Sequence, residues 1–128
     1  MGMETKRQKQ VAELIKRNFS MVLQQEGSYI YGAEALVTVT QVVMSPDLSL
    51  AKIYLSVYNQ ENKQEVILQM EHDMSRLKQA LAYRVKKHLR RIPEINFYLD
   101  DTLDEMYRLN HLFNDLHAAN QMGNDEEE

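Results

Sequence analysis

The chain of 128 residues contains no cysteine and no tryptophan. The missing thiols exclude a disulfide scaffold, thiolate metal sites and cysteine nucleophiles, and they fit a reducing compartment. Proline is confined to positions 46 and 93, and glycine to positions 2, 27, 32 and 123. Glycines spaced so widely cannot build a phosphate-cradling loop. No apolar run approaches the ~20 residues that cross a bilayer. The amino terminus, Met-Gly-Met-Glu-Thr-Lys-Arg, carries no apolar signal core either, so the sequence predicts a cytoplasmic protein with no membrane partner.

Hydrophobic residues make up 44% of the chain and charged residues 27%, enough for one packed domain of ordinary size. The net charge of −4 hides a segregation. Residues 1–93 hold 14 Lys and Arg against 9 Asp and Glu, whereas residues 94–128 hold only Arg108 against 10 acids. Within the first part, residues 74–93 carry Arg76, Lys78, Arg84, Lys86, Lys87, Arg90 and Arg91 and no acid. Such an asymmetry points to a polyanion-binding face and an acidic end.

Apolar positions Val11, Leu14, Ile15, Phe19, Val22 and Leu23 predict a helix over 5–25, opened by a Thr5/Gln8 capping box and ended by glycine from position 27. Residues 35–44 and 50–58 are β-branched or alternating, and Ser45-Pro46-Asp47 between them predicts an antiparallel hairpin. Asn62 with Glu65 begins a further helical pattern that runs to Ile92-Pro93. One helix of that length is too long for a small domain, so a break is predicted near Asp73-Met74-Ser75. Ile95, Phe97 and Leu99 read as a third strand, and Thr102 with Glu105 opens a last helix over about 102–120. Residues 4–120 form one domain in this reading, and residues 121–128 an acidic mobile tail. The order helix-strand-strand-helix-helix-strand-helix predicts an α+β fold: a three-stranded mixed sheet with helices on one face.

Three stretches resemble the bacterial ribosome-binding factor A family: Thr5 to Ile15, Val37 to Val57 with its Ser-Pro-Asp-Leu turn and Ala-Lys-Ile-Tyr-Leu-Ser, and Arg91 to Phe97 followed by Asp100-Asp101. The resemblance implies a type II KH-like fold. It also implies a non-catalytic, cold-associated assembly factor that binds the free small (30S) ribosomal subunit and its 16S rRNA, supporting late maturation and 5′-end processing. The sequence departs from KH domains in lacking the Gly-x-x-Gly loop that grips single-stranded RNA. It also lacks a small-x-Gly pattern at Ser75-Arg76-Leu77, where the family places its kink.

Phosphate neutralisation needs cations on one face. On a continuous helix, Leu77, Leu81, Val85 and Leu89 take one side, and Arg76, Arg84, Lys86, Lys87, Arg90 and Arg91 the other, with Lys78 at the edge. A solvated face normally mixes signs to gain i,i+4 pairs, and this one does not. These seven are the candidate rRNA contacts; Lys6, Arg7, Lys9 and Lys52 are a possible extension. Tyr54, Tyr58 and Tyr98 on the outer sheet face are either base-stacking platforms or plain strand cover. Asp100, Asp101, Asp104 and Glu105 suit a helix start better than a metal site, and the histidines lack ligand spacing. The expectation is a monomeric, cofactor-free binding module, not an enzyme. The alternative is a protein–protein adaptor whose basic face docks an acidic partner.

Overall fold

A computed structural model describes residues 4–100. The predicted last helix and acidic tail lie outside them. The elements run α1 (Lys6–Tyr31), β1 (Leu36–Met44), β2 (Leu50–Tyr58), α2 (Lys63–His72), α3 (Met74–Val85) and β3 (Glu94–Leu99).

The capping box at α1 forms as the sequence predicts. The Gln8 N–H donates to the Thr5 hydroxyl at 3.1 Å, and the Gln8 side-chain oxygen accepts the Thr5 N–H at 2.8 Å. Gln8 is buried because its amide nitrogen also donates to the Met44 carbonyl at 2.9 Å, tying the helix start to the end of β1. The helix does not stop at Gly27, contrary to the sequence expectation. The Tyr31 ring lies over the bare Cα of Gly27, where a Cβ would overlap it, so this glycine is a packing site inside the helix. The real stop is Gly32, whose φ of +94° no other residue adopts cheaply.

The sheet order is β1-β2-β3, with β1 and β2 antiparallel and β2 and β3 parallel. β1 changes parity part way. Val39 pairs with Leu55, but Gln41 pairs with Tyr54, leaving Thr40 as an extra residue in a bulge. Val39 before the bulge and Val42 and Met44 after it therefore all reach the core. The Ser45-Pro46-Asp47-Leu48 turn closes the hairpin through the Leu48 N–H to Ser45 carbonyl bond at 2.9 Å.

The core lies between the helices and one sheet face: Ile15, Phe19 and Val22 from α1, Ile53, Leu55 and Val57 from β2, Ile67 and Met70 from α2, and Leu77, Leu81 and Val85 from α3. Burying each such side chain stabilises the fold by roughly 1.5–3 kcal/mol. The break between α2 and α3 falls at Asp73, as predicted, and it is a single residue. α3 ends sooner than the sequence predicts, at Val85. The N–H groups of His88 and Leu89 converge on the Val85 carbonyl at 2.8 and 3.0 Å, and this turn still delivers Leu89 to the core. Apolar spacing thus continued past the end of the helix.

Candidate nucleic-acid interface

The seven predicted cations divide into two groups. α3 packs along α1, and its arginines lie in or beside that seam. The Arg76 Nε is 2.8 Å from a Glu26 oxygen, with the guanidinium 5.3 Å from the centre of the Tyr29 ring. The Lys78 Nζ is 3.0 Å from a Glu94 oxygen. Arg84 is half-buried, donating from Nε to the Asn18 side-chain oxygen at 3.2 Å and lying 2.8 Å from the Met21 sulfur. The expectation of one open helical stripe is therefore corrected: Arg76 and Lys78 have internal carboxylate partners, and Arg84 sits in the seam.

The remaining four, Lys86, Lys87, Arg90 and Arg91, lie beyond α3 in the turn and bends leading to β3. All four are exposed, and none pairs with a carboxylate among the described residues. Close together in sequence, they form an exposed cationic group at the end of α3. Lys86 Nζ lies 5.0 Å from the centre of the Tyr83 ring, a cation–π distance.

Tyr29 and Tyr83 were not singled out from sequence, yet they are 73% and 75% exposed. Each sits beside a cation of the candidate set. Their signal was available: both fall off the apolar helical positions, where a large ring has no core to fill. Around Tyr83, an open cleft is lined by Asn18, Tyr83, Arg84, Lys86, Lys87 and His88.

The possible extension separates by geometry. Arg7 precedes Asn18 by eleven residues, about three helical turns, so both share the α1 face turned toward α3. Lys9, half a turn away from that face, and Lys6 do not. Lys52 projects from the outer face of β2, opposite the helices, so the structure does not join it to the turn cations. On that outer face, Tyr54 and Tyr98 stack on each other with ring centres 5.2 Å apart. Asp100, weighed above as a helix-start residue or a metal ligand, accepts the Thr40 hydroxyl at 2.6 Å across β2. Asp101, Asp104 and Glu105 lie outside the described residues.

No helix among the described residues is long and apolar enough to cross a membrane. The family model for ribosome-binding factor A matches residues 7–113. Ribosome-binding factor A of Cytophaga hutchinsonii is 40% identical over 102 residues, covering 80% of this chain and 76% of its own. That of Flavobacterium psychrophilum is 34% identical over 107 residues, covering 84% and 82%. The crystal structure of ribosome-binding factor A from Thermus thermophilus superposes with a TM-score of 0.61 at 24% identity, over 72% of this chain and 94% of that one. A homology model of the Thermus thermophilus protein, fitted into a cryo-EM map of its complex with 30S, gives 0.56 at 26% identity, over 70% and 91%. The fold is the α+β, KH-like one that these structures share. By its match over most of its length, the chain belongs to the ribosome-binding factor A family.

Proposed function

We propose that the chain is a non-catalytic assembly factor that binds the free small ribosomal subunit, meets 16S rRNA through the Lys86–Arg91 turn, and supports late maturation and processing of the 5′ end. The observation that carries this reading is the group of four exposed cations, Lys86, Lys87, Arg90 and Arg91, without a carboxylate partner among the described residues of a chain whose net charge is −4. Exposed cations gain by meeting a phosphate backbone, with release of the counterions condensed on the RNA. Family membership supports the ribosomal target, and the 30S complex of the Thermus thermophilus relative supports the choice of subunit. Arg84 borders the same cleft as Lys86 and Lys87, and Lys6, Arg7, Lys9 and Lys52 are secondary to this group.

Cosedimentation tests this reading. The protein is expected to travel with purified small subunits and not with 70S ribosomes. It is also expected to leave labelled precursor rRNA uncut when incubated with it alone. Equal partition onto both particles, or onto neither, contradicts the reading and favours a protein–protein adaptor; cleavage of the RNA would make it an enzyme.

A further inference from the structure

We infer that the cleft at the end of α3 holds one unpaired nucleotide of the RNA, its base stacked on Tyr83 and its phosphate held by Lys86 and Lys87; this rests on the proposed RNA-binding function. The Tyr83 ring is 75% exposed, so its face is accessible to a stacking base. The Lys86 Nζ lies over the Tyr83 ring, 5.0 Å from its centre, so a base that takes that face would exchange with the ammonium and leave it beside the phosphate. The cleft is about 530 Å³, within the roughly 300–1,000 Å³ of small-ligand sites. Its other walls are polar or cationic: Asn18, Arg84, Lys87 and His88.

The negative end of α3 is offset by Lys86 and Lys87, which directly follow it. The Val85 carbonyl is already occupied by the N–H groups of His88 and Leu89. The opposite end of α3 is the wrong place for a phosphate. There the connection to α2 is the single residue Asp73, whose carboxylate would oppose the anion, and it contains no glycine. With 12 residues in α3, the cleft and that break lie about 18 Å apart. RNA contact is thereby shifted to the far end of the helix. The ligand is single-stranded because a ring can stack only on a base whose face is open, and duplex bases are closed to it.

The absence of tryptophan makes the test direct. Tyr83→Trp in the full-length protein keeps the stacking ring and supplies the sole tryptophan. Its fluorescence is expected to be quenched by single-stranded oligouridine and not by an RNA duplex. Tyr83→Ala is expected to weaken small-subunit binding about 5- to 150-fold, the usual loss for one base–ring stack, while Tyr83→Phe stays within about twofold. Circular dichroism checks that the variants fold. Absence of quenching by oligouridine, or wild-type binding by Tyr83→Ala, overturns the inference and leaves the proposed function standing. Subunits that bind not even the wild-type protein overturn both.

Discussion

Asp47 is fully solvent-exposed, yet its carboxyl is held at about 2, below its ordinary value of 3.8. The cause is local: the Ser49 hydroxyl, the Ser45 hydroxyl and the Ser49 N–H all donate to one oxygen, at 2.7, 2.8 and 3.1 Å. The folded state therefore binds the proton less tightly than the unfolded one. The contribution is present above pH 3.8 and is lost as the pH falls through 2. Asp47→Ala is expected to melt at a lower temperature than wild type at neutral pH, with the two curves converging near pH 2; a gap independent of pH contradicts this. Tyr31 shifts the other way, since burial raises its phenol above 10. Its contribution is complete below pH 10 and is lost as the pH rises further, when the unfolded chain ionises more readily. Tyr31→Phe is expected to remove that alkaline loss in pH-dependent melting. Gly27→Ala, which displaces the ring, is expected to reduce it.

Among the elements, the bulge in β1 is the one the sequence carried without showing. Val39 and Val42 are both core residues three apart, an odd interval that a regular strand would send to opposite faces. Thr40 absorbs the difference, and its hydroxyl donates to Asp100 at 2.6 Å, joining β1 to the end of β3 over β2. Thr40→Val keeps the branched shape but drops this charge-assisted bond. It is expected to cost about 1–2 kcal/mol in urea unfolding; an unchanged midpoint contradicts the role given to it. The hairpin and the caps at Thr5 and Asn62, where the Asn62 side-chain oxygen accepts the Glu65 N–H at 3.1 Å, were legible because each rests on contacts within a few residues, and the break at Asp73 followed from the length of the helical pattern. The ends of α1 and α3 were not. Gly27 looked like a stop only without Tyr31 above it, and Leu89 looked helical because a turn beyond Val85 presents it to the same core. For the same reason the cations were legible as a set, but their sorting was not. Glu26 and Glu94 are 50 and 16 residues from the cations they pair with.

At the scale of the whole molecule, that sorting changes the expected electrostatics. Of the six cations the bare sequence put on one stripe, Arg76 pairs with Glu26 and Arg84 sits half-buried in the seam, so the four turn cations are the exposed ones without such partners among the described residues. Each phosphate contact contributes about −0.7 to −0.9 to the slope of log affinity against log salt, so four give roughly −3 to −4. Binding to the small subunit is then expected to fall about 60- to 250-fold between 50 and 200 mM salt. The most direct measurement is this salt titration by sedimentation, run on wild type and on the protein with Lys86, Lys87 and Arg90 all replaced by Glu. The account predicts a slope near −3 to −4 for wild type and no detectable binding for a variant that still melts cooperatively. A folded triple variant that binds as tightly as wild type would contradict it.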